Sequence, residues 1–66
     1  MQVRINGKPR DVEGGATIMQ FLQAHEINPA LVAVEHNGEI IRRERLGDVR
    51  LEEGDTLEVV HMVGGG

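Results

Sequence analysis

The sequence predicts an α+β domain, a mixed sheet of four to five strands with one main helix packed on one face. Three observations carry this. Alternating or β-branched runs stand at Met1–Ile5, Leu31–Glu35 and Leu57–Val63. Only one stretch, the one behind Thr17, has helical periodicity. Turn-forming pairs such as Asn6-Gly7, Asn37-Gly38 and Gly54-Asp55 punctuate the chain. Sixty-six residues make one domain.

Met1-Gln2-Val3-Arg4-Ile5 opens the chain with Val3 and Ile5 on one face, as a half-buried strand requires. Asn6-Gly7 is the strongest short hairpin signal. Pro9 weakens the start of the return strand, so Arg10-Asp11-Val12-Glu13 is read as a short edge strand. Gly14-Gly15 then breaks the chain. Thr17 and Gln20 form a T-x-x-Q capping box, in which each side chain satisfies an otherwise orphan helix amide. Ile18, Phe21, Leu22 and His25 follow at i, i+3, i+4 and i+7, one stripe of a helix. The helix stops before Pro29, because a proline pushes Asn28 out of the α region. Leu31-Val32-Ala33-Val34-Glu35 is the third strand, Asn37-Gly38 turns it, and Glu39-Ile40-Ile41 returns. Arg42 to Gly47 is charged and irregular, with room for one helical turn. Glu53-Gly54-Asp55 launches the last strand. One amphipathic helix covers one sheet face, so the other face meets water or a partner.

Alternation divides the last strand. Leu57, Val59, His61 and Val63 share the face expected under the helix with Val3, Ile5 and Phe21. Glu58, Val60 and Met62 take the opposite face. Adjacent exposed apolar residues mark contact sites, and methionine suits adaptable ones. Glu58, Val60 and Met62 are therefore read as a docking patch for a partner; the competing reading is that a neighbouring loop buries them.

Composition narrows the function. A domain of about 60 residues buries only about 60% of its unfolded surface, so the core is marginal. With 39% hydrophobic and 27% charged residues the chain is globular rather than disordered. The net charge of −4 argues against nucleic-acid backbone binding as the main task. No apolar stretch reaches bilayer-spanning length and no signal segment is visible, so neither membrane nor secretion is expected, and the setting read is cytoplasmic. Cysteine and serine are absent, which removes disulfides, thiolate metal sites and the commonest nucleophiles. His25, His36 and His61 lie on different elements without metal-ligand spacing, and no metal site is expected. The carboxylates form no recognisable pair, and most read as solvated surface groups. Gly14-Gly15 before the helix lacks the lysine and hydroxyl of a phosphate loop. No catalytic residue emerges, and an enzyme with its own active site is not expected.

The run Gly64-Gly65-Gly66 follows the last strand directly. Glycine lets other atoms approach the backbone closely, so such a tail can enter a narrow active site and present a carboxylate. It can equally be a frayed end. Only its context decides between the two.

That context has a family likeness. Thr17 opening the only helix, the run Val32-Ala33-Val34-Glu35-His36-Asn37-Gly38-Glu39-Ile40-Ile41-Arg42-Arg43, the Glu53-Gly54-Asp55 turn and the terminal glycines together resemble the ThiS family, the sulfur carriers of thiamine biosynthesis. The resemblance covers essentially the whole chain. It departs at Arg42, where the family often has proline, and at Leu46, where an aromatic residue is often found.

The resemblance implies a ubiquitin-like β-grasp domain over residues 1–63 and a flexible glycine tail over 64–66. It implies a protein cosubstrate with no permanently bound cofactor. A ThiF-like adenylyltransferase would use ATP to adenylate the carboxylate of Gly66. A sulfur donor, such as a cysteine desulfurase system, would convert it to a thiocarboxylate, and a ThiG-like thiazole synthase would take the sulfur. Gly65 would give the terminus passage and Gly64 would act as hinge. A carrier for molybdopterin or cysteine synthesis, and a ubiquitin-like protein modifier, are the alternatives.

Overall fold

A computed structural model describes residues 1–62. The expected tail 64–66, with Val63, lies outside the described residues. Among the described residues there are five strands and one α-helix: β1 Gln2–Ile5, β2 Lys8–Asp11, α1 Ile18–Ala24, β3 Val32–His36, β4 Glu39–Ile41 and β5 Thr56–His61. Single 3-10 turns stand at Pro29–Leu31 and Arg43–Arg45.

Both Asn-Gly pairs make the expected two-residue hairpins. Asn6 and Gly7 have φ of 51° and 82°, and Asn37 and Gly38 have 51° and 86°. Two successive left-handed residues match the twist of the flanking strands, and asparagine tolerates that region better than other side chains. The first hairpin corrects one boundary. β2 begins at Lys8, directly after the turn, and Pro9 lies within it opposite Arg4. Proline is tolerated because β2 is an edge strand, and Arg4–Pro9 is a non-hydrogen-bonded pair whose missing N–H faces outward. Val12 and Glu13 fall beyond the strand.

The helix is capped as expected. The Gln20 amide donates to the Thr17 hydroxyl at 3.1 Å, and the Thr17 amide donates to the Gln20 side chain at 2.9 Å. Ile18, Phe21 and Leu22 are buried on its inner stripe. His25 is the C-cap and is exposed, so the stripe ends one turn earlier than its spacing suggested. Glu26 has φ of 55°, which leaves the helix well before Pro29, and Asn28 is extended with its side chain accepting from the Ala30 amide.

The strand order is β2-β1-β5-β3-β4, with β5 parallel to β1 and antiparallel to β3. The last strand in sequence is thus the central strand in space. Val3, Ile5, Val32, Val34, Leu57 and Val59 face α1 and form the core with Ile18, Phe21 and Leu22. Leu46 and Leu51, from the irregular segment between β4 and β5, close the core and are each 1% exposed. His61, expected on this face under the helix, is exposed. α1 has only seven residues, about 10 Å of cover, and β5 runs past its end.

Candidate functional site: the last strand and the face it presents

β5 is the last strand before the glycine run in the sequence, and contacts from both sides hold it in place. Backbone pairing holds it along Val32–His36 of β3 and along Arg4 and Ile5 of β1. The Met62 amide donates to the Leu31 carbonyl at 2.9 Å, which extends the pairing one residue beyond the strand.

β1 ends at Ile5, and there the side chain of Asn6 takes its place. Asn6 Oδ1 accepts from the Val59 amide at 2.7 Å, and Asn6 Nδ2 donates to the Val59 carbonyl at 3.1 Å. A carboxamide has the same donor and acceptor as a peptide group, so it continues the ladder by one rung without further backbone.

The second hairpin grips the other end of β5. Asn37 Oδ1 accepts from the Thr56 amide at 2.8 Å, and Asn37 Nδ2 donates to Asp55 Oδ1 at 3.2 Å. Asp55 Oδ2 accepts from the Glu52 amide at 2.9 Å and lies 2.7 Å from His36 Nε2. Burial alone would raise the Asp55 carboxyl, but the hydrogen bonds from His36, Glu52 and Asn37 outweigh it and hold the group below the ordinary carboxylate range. Asp55 is therefore a structural anion with a 13% exposed side chain, an exception to the solvated surface role expected of most carboxylates.

The opposite face of β5 is open. Val60 is 59% exposed and Met62 54%. Ala33 lies directly across from Val60, and Leu31, beside Met62, is 55% exposed. One rung away, Glu35 stands opposite Glu58. Two carboxylates facing each other across a ladder are destabilising. The arrangement is an apolar patch with a doubled acidic edge, and no loop among the described residues covers it. It brings Glu58, Val60 and Met62 together as the sequence suggested; Gly64, Gly65 and Gly66 lie outside the described residues. Ala33 and Glu35 were missed, although alternation with Val32 and Val34 in β3 was the signal for them.

The Gly14-Gly15 loop is occupied internally, since Arg50 Nη1 donates to the Gly15 carbonyl at 2.6 Å. Among the described residues no group of three or more His, Asp or Glu side chains is arranged to hold a metal ion, and no helix is long and apolar enough to cross a membrane.

This geometry has known counterparts. The chain is 40% identical to the sulfur carrier protein ThiS of Bacillus subtilis over 67 residues, covering 97% of this chain and 98% of that one. It is 41% identical over 66 residues to a thiazole synthase of Magnetococcus marinus, all of this chain but 20% of that protein. It thus spans about one fifth of that relative's length. The crystal structure of thiamine biosynthesis protein ThiS from Geobacter metallireducens matches with a TM-score of 0.87 at 33% identity, each chain covered in full. The β-grasp expectation is met by that likeness and by the five-stranded mixed sheet with its single helix. The match to the ThiS family itself runs over residues 3–66, from the first strand through the glycine run, and the chain belongs to that family.

Proposed function

We propose that this chain carries sulfur for thiamine biosynthesis on the carboxyl group of Gly66. The observation that carries the reading is the near end-to-end likeness to a sulfur carrier protein. A sheet built to aim β5, with an open apolar patch beside it, supports it.

The chemistry suits a tail without side chains. An α-carboxyl with a pKa of about 3.5 is an anion at neutral pH and a poor electrophile. Its oxygen attacks the α-phosphate of ATP, pyrophosphate leaves, and the acyl-adenylate now has AMP as a good leaving group. Sulfide-level sulfur (hydrosulfide) attacks the acyl carbon, the bond to the AMP oxygen breaks with AMP leaving, and the thiocarboxylate forms, whose sulfur thiazole synthase takes. The groups that catalyse these steps belong to the adenylyltransferase, the sulfur donor system and the synthase; this chain supplies the acyl group and the surface that delivers it. A thiazole synthase that contains a homologous stretch within a chain about five times longer supports the synthase as the receiving enzyme.

Glu58, Val60 and Met62 form the docking patch in this reading, and Gly65 lets the terminus pass where a Cβ would crowd the nucleotide. The test is intact-mass measurement after incubation with ATP, the adenylyltransferase and a sulfur source. A gain equal to sulfur minus oxygen supports the carrier. Lysine-linked adducts would support a modifier instead, and no ATP-dependent change would refute both. Deleting Gly66 abolishes the gain without altering the unfolding transition. Val60→Asp weakens the enzyme interaction while the fold persists, because Val60 is outside the core.

A further inference from the structure

β5 has a second flank, on the helix side, and its chemistry is opposite to that of the patch. His61 shares the face of Leu57 and Val59 but emerges beyond the end of α1, where it is exposed. Arg10 pairs with the buried Val3, so it stands on the same side of the sheet. His25 caps α1, its ring 4.4 Å from that of Phe21. The three line one open groove of about 370 Å³ floored by Phe21, Ile27 and Val59. No carboxylate lines it, in a chain with eleven acidic residues against seven basic ones. Among the described residues, none of the three side chains has a hydrogen-bond or ion-pair partner.

We infer that this groove receives a carboxylate side chain from the enzyme that adenylates the tail, so that the enzyme grips β5 from both faces. The inference rests on the carrier reading. On the outer face the acidic pair Glu35 and Glu58 suits a basic rim. On the helix face the Arg10 guanidinium suits an acidic one, with the His25 and His61 ring nitrogens beside it as hydrogen-bonding groups, and the apolar floor lowers the local dielectric and strengthens the pairing. Opposite charge on the two flanks of one strand also sets orientation, because a tail entering the enzyme turned about its axis would bring like charges together.

The test is steady-state adenylation of Arg10→Glu/His61→Glu, with Arg42→Glu/Arg43→Glu as a control of comparable charge change away from β5. All four positions are exposed, and a thermal transition close to that of the wild type confirms folding. We expect KM for the carrier to rise about tenfold or more in the first variant, with kcat little changed. The rise shrinks at high salt, Arg10→Gln lies between, and the control stays within about twofold. An unchanged KM, or an equal rise in the control, overturns the inference while leaving the carrier reading intact. Failure of the wild type to be adenylated overturns both.

Discussion

Replacing Asn6 tests whether its side chain really serves as a rung of the sheet. Asn6→Gly keeps the left-handed turn and removes both bonds to Val59. Each such bond contributes about 1 kcal/mol net, so the loss is about 2 kcal/mol if water reaches the freed Val59 groups, and more if it does not. Asn6→Ala removes the same bonds and also forces a Cβ-bearing residue without a local hydrogen bond to φ of 51°, at a further cost of about 1 kcal/mol. A 66-residue domain has roughly 3–10 kcal/mol of stability in all. The alanine variant therefore loses a large part of its stability. Urea unfolding of the three proteins, with m unchanged, gives the order wild type, glycine, alanine. Amide exchange at Val59 accelerates in both variants beyond the global change. A glycine variant within about 0.5 kcal/mol of wild type, with Val59 still protected, would refute the account.

Three further outcomes follow from the packing and the Asp55 cluster. Because the folded pKa of Asp55 is depressed, its contribution is present above the ordinary value of about 3.8 and is lost as pH falls through the folded value. Asp55→Asn should flatten that acid limb of a Tm-against-pH curve and lower Tm at neutral pH. Leu46→Ala, at a position 1% exposed, should cost about 2–5 kcal/mol in urea unfolding although it lies in no regular strand or helix. Thr17→Ala breaks the capping box and should cost about 1 kcal/mol, seen as faster exchange in the first turn of α1.

The parts of the fold legible in the sequence were those set by local rules. Thr17 and Gln20 announce a helix start, and the two Asn-Gly pairs announce type I′ turns, because their signals lie within four residues. Pro9 misled the reading of β2, since whether a proline fits depends on which strand is at the edge, a property of the whole sheet. Alternation put His61 on the correct side of β5 but could not show that α1 stops short of it. Leu46 and Leu51 follow no period, so nothing local marked them as core. Asp55 and His36 are 19 residues apart, and their pairing comes from the sheet rather than from either neighbourhood. The outer patch was legible from β5 alone, and its second half on β3 required the register.

The central place of β5 also has a mechanical consequence. A strand peeled from a sheet edge by a load at its end gives way one rung at a time. β5 is held on both sides, by β1 and by β3, and a pull along its axis toward the glycine run loads both ladders together. In the proposed carrier reading, an enzyme drawing the tail into its active site would load these two ladders in shear.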